Sequence, residues 1–274
     1  MNAFEKFLVG FKATMQTPTN YGWFHLMFVA IAITVTVLLC IFAKNMQEKT
    51  FRKFVFWCWI VVLVLEIYKQ VFYATLEVNG EQLNWIYKWG NFPFQLCSTP
   101  LYLLPFVAFM KDGKVRDSII SFLCTFAMFG GLVVFLYPND VFVSMIGINI
   151  QTMVHHVLQI VLGIFMLVYY RKKLDWKFFL KGIIVFGIAI LTALLLNTVV
   201  YNTISHDFNM FYIGPYIKCH LPILSDVWTK VPYIVFLLIY VLGFILAAAI
   251  MFAIPYYLIK LIKKQKNKKQ PKEA

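Results

Sequence analysis

The chain has 274 residues, of which 61% are hydrophobic and 14% are charged, and its net charge is +13. Soluble domains have about 45–50% apolar and about 25% charged residues, so this composition excludes an ordinary soluble protein and predicts an integral membrane protein. The basic residues lie between apolar segments instead of on one solvated face, which argues against nucleic-acid binding. The five cysteines show no zinc-binding spacing, and we expect no metal and no other cofactor.

The N-terminal residues 1–20 form the first element. Phe4, Phe7 and Phe11 recur at helical spacing and are followed by a polar stretch. This pattern predicts a short amphipathic helix that lies in the membrane interface. It shows no cleavable signal peptide. We therefore expect an interfacial segment, which leads into one transmembrane domain that ends at residue 262.

Seven apolar segments follow, each close to the roughly 20 residues that a spanning helix needs. They are Tyr21–Ala43, Phe54–Thr75, Phe92–Met110, Ser118–Tyr137, Val143–Tyr170, Phe178–Tyr201 and Val231–Ile262. They predict an all-α polytopic membrane protein, a bundle of seven transmembrane helices. The fifth and seventh segments are long enough to tilt or to begin outside the hydrocarbon.

The connections between these segments differ in charge. The first, third and fifth connections and the C-terminal tail hold most of the Lys and Arg residues, whereas the others hold few. Cytoplasmic loops are enriched in these residues, so the pattern predicts an outside N-terminus and an inside C-terminus. The lysine-rich tail, residues 263–274, is expected at the inner leaflet, where it would attract anionic lipid.

The second predicted helix carries a polar stripe. Glu66, Lys69 and Gln70 fall on one face at about 100° per residue. Glu66 and Lys69 are three residues apart and can pair. An unpaired charge in lipid is costly, so we expect this pair to face the interior of the bundle. A purely structural ion pair would give the same pattern.

The third predicted helix begins with the polar residues Gln95, Cys97, Ser98 and Thr99. Pro100 follows and lacks an amide hydrogen, so it should loosen the helix next to the thiol. Cys97 is a candidate nucleophile in this polar break. A packed cysteine that acts as a small apolar side chain is the alternative interpretation.

The fifth predicted helix carries a second polar stripe. Thr152, His156 and Gln159 share one face, and His155 lies on its flank. Helical phase therefore places His156 in the polar seam and rotates His155 away from its centre. This favours His156 as the partner of Cys97, although a buried histidine can also be a satisfied core residue.

Further polar residues occur where the sixth predicted helix ends. Asn197 lies in its last turns and Asn209 in the loop that follows. Asparagine can join helices in lipid, which would be a structural role. Together, four predicted helices place polar groups in the outer half of the bundle, and this convergence predicts a cavity that opens toward the outer leaflet.

Several short motifs occur in order between about Trp89 and Pro215. They are Phe94-Gln95-Leu96-Cys97, Tyr137-Pro138-Asn139-Asp140, Gln151 to His156, and Asn209-Met210-Phe211-Tyr212. In this order and spacing the chain resembles the bacterial YwaF family of integral membrane proteins, which is related to eukaryotic transmembrane protein 164. The family usually has His-Leu-Cys where this chain has Gln95-Leu96-Cys97, and Ser-His where it has His155-His156.

The resemblance implies a lipid acyltransferase in a bacterial plasma membrane. Such an enzyme would move an acyl chain between glycerolipids through a cysteine thioester, with phospholipids and lysophospholipids as substrates. Carried over to this sequence, Cys97 becomes the nucleophile and His156 the base. The residues themselves suggest oxyanion donors, which are Gln95, Ser98, Gln159 and Asn197. Lys69 could meet a phosphate headgroup.

Two other functions stay open at this point. Ser98 or Thr99 could be the nucleophile of a lipid-ester hydrolase with His156 as its base. Alternatively, Glu66, Lys69 and His156 could form the path of a proton or small-molecule transporter. The oligomeric state does not follow from the sequence.

Overall fold

A computed structural model describes residues 1–138 and 141–269 of the chain. Asn139 and Asp140 of the second sequence motif, and residues 270–274 of the predicted basic tail, lie outside the described residues. The helices are α1 (Ala3–Gly10), α2 (Trp23–Ala43), α3 (Glu48–Lys69), α4 (Thr99–Phe109), α5 (Lys114–Phe122), α6 (Met128–Leu136), α7 (Ile146–Tyr169), α8 (Trp176–Thr203), α9 (Leu224–Lys230) and α10 (Tyr233–Lys269). A π-helical turn continues α3 over Gln70–Thr75, and another joins α5 to α6 over Leu123–Ala127.

Within the described residues, six helical stretches are long and apolar enough to cross a membrane, which agrees with an all-α polytopic membrane protein. The third predicted span differs. Its apolar helix covers only Leu96–Phe109, and its regular part, α4, has 11 residues. At 1.5 Å per residue, α4 is about 17 Å long, shorter than the roughly 30 Å of hydrocarbon.

The last helix extends past its predicted span. Its stretch that is long and apolar enough to cross a membrane ends at Ile262, and the helix α10 continues to Lys269. The predicted tail therefore begins as helix. Lysine and glutamine are good helix formers, and no proline or glycine lies between Ile262 and Lys269 to interrupt the backbone hydrogen bonds. The boundary of the transmembrane domain at residue 262 stays a prediction.

The connections gather at two opposite ends of the bundle. At one end, here called the basic end, the first, third and fifth connections meet. Arg171 there donates to the carbonyl of Lys44 at 2.8 Å, and Arg116 donates to the Tyr170 hydroxyl at 3.0 Å. The Lys- and Arg-rich connections thus share one end, as the charge pattern predicts.

The other end, here called the polar end, collects the N-terminal segment and the remaining connections. Lys12 donates to the carbonyls of Phe72 and Leu76 at 2.6 and 2.5 Å. The second and sixth connections meet where the Gly90 amide donates to Asp207 Oδ2 at 3.2 Å. The chain therefore passes from the polar end to the basic end even where α4 is short.

The polar end contains two further elements. The strands Leu76–Asn79 and Gln82–Trp85 form an antiparallel hairpin in the second connection, which the sequence did not predict. The helix α1 is present, and Phe4 and Phe7 on it are 66% and 61% exposed. They give α1 the apolar face that an interfacial position needs, and that position stays a prediction.

Helix α7 lies at the centre and packs against α2, α3 and α6. Two glycines set its distance from α6. A Cβ atom at Gly163 would lie 2.6 Å from Met128, and one at Gly131 would lie 2.8 Å from the Gln159 side chain. Small residues let helix backbones approach closely in membranes. The two glycines therefore allow α6 to pack closely against the polar face of α7.

Candidate functional site

The polar break before α4 is built around a proline. Pro100 has no N–H, so the carbonyl of Leu96, four residues earlier, loses its helical donor. The Thr99 amide and the Thr99 hydroxyl both donate to this carbonyl instead, the hydroxyl at 2.7 Å. The backbone over Leu96–Ser98 forms a 3₁₀ turn. The proton of Thr99 is thus committed to the backbone, and its predicted role as a nucleophile loses support.

A second proline has a similar effect one turn later. Pro105 deprives the Leu101 carbonyl of its donor, and the indole N–H of Trp59 on α3 donates to it at 3.0 Å. Trp59 was not among the predicted site residues. The rule that a proline leaves the carbonyl four residues earlier unpaired would have revealed the need for such a donor, although not its identity.

The Cys97 turn is held by two side chains of α7. His155 Nε2 and Gln159 Nε2 each lie 2.6 Å from the backbone carbonyl of Cys97, which accepts from both. The sequence placed His155 on the flank of the polar seam, and from that position its ring reaches the Cys97 carbonyl. Helical phase predicts only which side chains share a face of a helix. The partner of His155 is instead a backbone carbonyl, which the irregular turn at Cys97 presents to the flank of α7.

His156 makes a different bond. Its Nδ1 lies 2.7 Å from the carbonyl of Thr152, one turn earlier on α7. Both histidines are buried, and their ring centroids are 5.7 Å apart. The predicted polar residue Thr152 contributes through its backbone, while its hydroxyl donates to Gln151 at 3.4 Å.

These bonds assign the tautomers of the two rings. A carbonyl only accepts, so His155 must carry its hydrogen on Nε2 and His156 on Nδ1. The other nitrogens, His155 Nδ1 and His156 Nε2, are buried and have no hydrogen-bond partner among the described residues. In a neutral ring such a nitrogen has a free lone pair. The site therefore contains two unused bases in an apolar interior.

Cys97 is half-buried. Glu66 and Lys69 of α3 lie close enough to interact electrostatically with its thiol, as does the Ser98 side chain. The predicted ion pair is present, with 3.0 Å between Lys69 Nζ and Glu66 Oε1. Gln70 donates to the same carboxylate oxygen at 2.6 Å. The thiol thus borders a satisfied polar network.

This network continues to the polar end through residues that the sequence did not single out. Gln70 donates to the Asn91 carbonyl at 3.0 Å and accepts from the Tyr87 hydroxyl at 2.7 Å. Burial and then the charge of Glu66 raise the pKa of Tyr87 to about 12, so it remains a donor at neutral pH. Tyr87 and Asn91 therefore fix the orientation of the Gln70 amide.

Gln95 and Asn197 have structural roles. Gln95 donates to the Asn209 carbonyl at 2.9 Å and accepts from the Phe211 amide at 2.7 Å. Asn197 makes the same pair of bonds with Met210, at 2.9 and 2.6 Å. Their predicted role as oxyanion donors is therefore not supported, because their amides are occupied by backbone groups of the loop between α8 and α9.

That loop has an unusual backbone. Phe211 and Tyr212 have φ angles of 57° and 56°, in the left-handed region that side chains rarely adopt. Such conformations cost about 1–3 kcal/mol each and persist only where the surroundings enforce them. The Tyr240 hydroxyl donates to the Phe211 carbonyl at 2.9 Å, and Asn209 accepts from the Gly214 amide at 2.8 Å. The loop is thus a fixed lid at the polar end.

Replacing Gln95 with alanine should loosen this loop. The buried carbonyl of Asn209 and amide of Phe211 would lose their partner, so we expect a destabilisation of about 2 kcal/mol and faster exchange of the Phe211 amide. Thermal unfolding in detergent and hydrogen–deuterium exchange would measure both. The exposed Gln82 provides the control, and equal behaviour of Gln82→Ala and Gln95→Ala would contradict the structural role.

A narrow cavity lies beside His155. His155 and Gln159 form its polar wall, and side chains such as Val62, Leu104 and Leu162 form its apolar wall. The cavity volume is about 10 Å³, which is close to the minimum that can hold one water molecule. The cavity that opens toward the outer leaflet, as the sequence suggested, stays a prediction.

The structure thus separates the predicted residues into two groups. One group surrounds the Cys97 turn and consists of Glu66, Lys69, Gln70, Ser98, His155, His156 and Gln159. The other holds the lid and consists of Gln95, Asn197 and Asn209. Across residues 1–138 and 141–269, no cluster of three or more His, Cys, Asp or Glu residues could hold a metal ion.

Comparison with known proteins identifies the family. The profile of the TMEM164 family matches residues 18–256, which is most of the chain. The chain belongs to this family. None of the curated proteins and none of the solved structures in the comparison matches it. The resemblance to the YwaF family stays a prediction.

Proposed function

We propose that this member of the TMEM164 family is a membrane-embedded acyltransferase, which moves an acyl chain between glycerolipids through a thioester on Cys97. One observation carries the proposal. Two buried imidazoles have their hydrogens fixed by backbone carbonyls, one of which is the carbonyl of the half-buried Cys97, and their other nitrogens have no partner among the described residues. A thiol and an unprotonated base are the parts of a cysteine nucleophile.

The first half of the reaction would run as follows. His156 Nε2 takes the proton of the Cys97 thiol, and the sulfur attacks the ester carbonyl of a phospholipid. A C–S bond forms, the C–O bond to the glycerol breaks, and the proton passes to the departing alkoxide. The products are an acyl-thioester on Cys97 and a free lysophospholipid.

The second half reverses the roles. An acceptor lysolipid hydroxyl gives its proton to His156 Nε2, and its oxygen attacks the thioester. The new C–O bond forms while the C–S bond breaks, and the sulfur recovers the proton. No oxidant, reductant or cofactor is consumed, which suits a chain for which none is expected.

The neighbouring residues would position the reactants. His155 and Gln159 hold the Cys97 carbonyl, which fixes the direction of the side chain. The ammonium of Lys69 would meet the headgroup phosphate as a point charge. With Gln95 and Asn197 occupied by the lid, the Ser98 hydroxyl and the second N–H of the Gln159 amide are the remaining predicted donors for the oxyanion.

The proposal includes a topology. The extended segment before Leu96 and the short helix α4 carry the chain between the two ends, which would make a seventh crossing. Lys and Arg concentrate on the cytoplasmic side of membrane proteins, so the basic end would face the cytoplasm and the N-terminus the outside. The Cys97 turn lies toward the polar end and would serve the outer leaflet.

The other two functions have less support. A hydrolase would have to use Ser98, because the Thr99 hydroxyl donates to Leu96. Labelling by a fluorophosphonate, instead of a thiol-directed acyl probe, would favour that reaction. A transporter would show proton-coupled flux that persists in Cys97→Ala, although Glu66 and Lys69 already neutralise each other.

Replacing Cys97 with alanine tests the proposal directly. In liposomes that contain a labelled phospholipid and a lysophospholipid, we expect acyl exchange to fall by at least about a thousandfold, because the nucleophile is lost. A hydroxylamine-sensitive acyl adduct should disappear as well. Cys124→Ala, another cysteine inside the bundle, should keep both signals. Unchanged exchange by Cys97→Ala would refute the proposal.

A further inference from the structure

A second cavity lies at the basic end, far along the bundle from the Cys97 turn. Its volume is about 400 Å³, within the usual range of small-ligand sites. We call it the basal pocket, and its charged lining consists of Lys44, Glu48, Asp112, Arg171, Lys172 and Lys173. No step of the proposed acyl transfer uses these residues.

The acidic side chains of the basal pocket are already neutralised. Glu48 Oε1 lies 2.7 Å from Arg52 Nε and 2.7 Å from Arg116 Nη2. Asp112 Oδ1 lies 3.3 Å from Arg52 Nη2 and also contacts Arg116 Nη1. Two carboxylates are thus matched by two guanidinium groups, and this cluster adds no net negative charge to the pocket.

Three of the four remaining cations have no such partners. Within residues 1–138 and 141–269, no ion pair joins Lys44, Arg171 or Lys172 to a carboxylate. Lys173 lies 3.8 Å from Asp117 and sits over the Tyr170 ring at 5.2 Å. The rim of the basal pocket therefore carries an excess of positive charge, which favours the binding of an anion.

The pocket is also preorganised. Arg171 Nη1 donates to the Val168 carbonyl at 3.1 Å and Nη2 to the Lys44 carbonyl at 2.8 Å, so two backbone contacts orient the guanidinium. A guanidinium has five N–H donors, and those not used here remain for a ligand. The Tyr169 hydroxyl donates to Glu48 at 2.8 Å, which joins two residues that line the pocket. A rigid site loses little entropy when a ligand binds.

We propose that the basal pocket binds a phosphate-bearing anion through Arg171, Lys44 and Lys172. A guanidinium pairs with phosphate through two parallel hydrogen bonds, and lysines add point charge. The phosphate belongs either to the headgroup of an anionic phospholipid in the adjacent leaflet or to a soluble phosphate compound. The inference does not depend on acyl transfer at Cys97.

Titration of the purified full-length protein in neutral detergent tests this inference. The probes are dioctanoyl-phosphatidylglycerol and inorganic phosphate, and the readout is the rise in melting temperature that a bound ligand produces. We expect a saturable rise with at least one probe. Lys44→Gln with Lys172→Gln should weaken the apparent affinity by at least about tenfold, because two charge-assisted contacts are lost.

A matched double variant controls for net charge. Lys49 and Lys53 are exposed on α3 near the same end but do not line the basal pocket. Changing both to Gln removes the same charge and should alter the affinity by less than about twofold, as expected for screened surface charges. Arg171→Gln is a third variant, which should weaken binding by itself.

The outcomes are distinct. A response to the lipid probe alone assigns the phosphate to a headgroup, and a response to inorganic phosphate assigns it to a soluble compound. Equal losses in the two double variants would overturn the proposal, because long-range charge would then explain binding. The absence of a saturable response to both probes would overturn it as well.

Discussion

His156→Gln is expected to lower acyl transfer by about 100- to 10,000-fold, the usual contribution of a general base. Glutamine has a similar size and can still donate to the Thr152 carbonyl, as His156 Nδ1 does at 2.7 Å. It has no nitrogen that can take a proton at neutral pH. The melting temperature should therefore stay close to that of the wild type while the rate of exchange in liposomes falls.

The adjacent residue supplies the matched control. In His155→Gln, the new amide can still donate to the Cys97 carbonyl, which Gln159 also holds at 2.6 Å. We therefore expect a loss of less than about tenfold, as for a positioning residue whose hydrogen bond is kept. If His155→Gln were inactive and His156→Gln active, the roles of the two rings would be reversed and His155 Nδ1 would be the base.

Arg116→Met should be the most destabilising single change at the basic end. Arg116 is 1% exposed, and its Nε donates to the Val107 carbonyl at 2.8 Å. It also contacts Glu48 and Asp112, whose side chains are 38% and 58% exposed. Breaking a buried pair costs about 3–5 kcal/mol, and water can reach both carboxylates, so we expect about 3 kcal/mol.

The comparison with Arg52 makes this prediction specific. Arg52 pairs with the same two carboxylates, but its side chain is 25% exposed. Arg52→Met should therefore cost less than about half as much, because its partners keep Arg116. Thermal unfolding in detergent would measure the stability of both variants, with the reaction of the buried cysteines with a thiol dye as the readout. Equal losses would show that burial of Arg116 is not the cause.

Gln95 shows how a departure from the family pattern can leave the site intact. The YwaF resemblance places a histidine at this position, yet Gln95 uses one donor and one acceptor to hold Asn209 and Phe211. A neutral imidazole also has one donor and one acceptor. A histidine here could make the same two bonds, so the change to glutamine need not remove a catalytic base.

Local rules predicted several of the contacts around the Cys97 turn. The spacing of Glu66 and Lys69 on α3 predicted their ion pair, because residues three apart on a helix are neighbours. The clustering of polar residues in otherwise apolar helices drew attention to Cys97, His155 and Gln159, and both side chains of α7 contact the Cys97 carbonyl. In lipid-facing helices, polar side chains turn inward, so their positions along the sequence locate the seam.

The same rules could not assign the partners within that seam. Thr99 and Trp59 donate to the carbonyls that Pro100 and Pro105 deprive of their helical donors. Gln95 bonds to a loop more than a hundred positions away in the chain. Helical phase describes which side chains share a face. It contains no information on where the backbone of another segment departs from helical geometry.

The sequence by itself determined that this is a polytopic helical membrane protein with its basic connections at one end, because hydrophobic length and charge are local properties of the chain. It also selected Cys97 and the histidine pair as chemically distinctive. Only the tertiary structure decided that His155 holds the Cys97 carbonyl while His156 keeps a free Nε2. That division depends on how an irregular turn docks on α7, which distant hydrogen bonds and close helix packing set together.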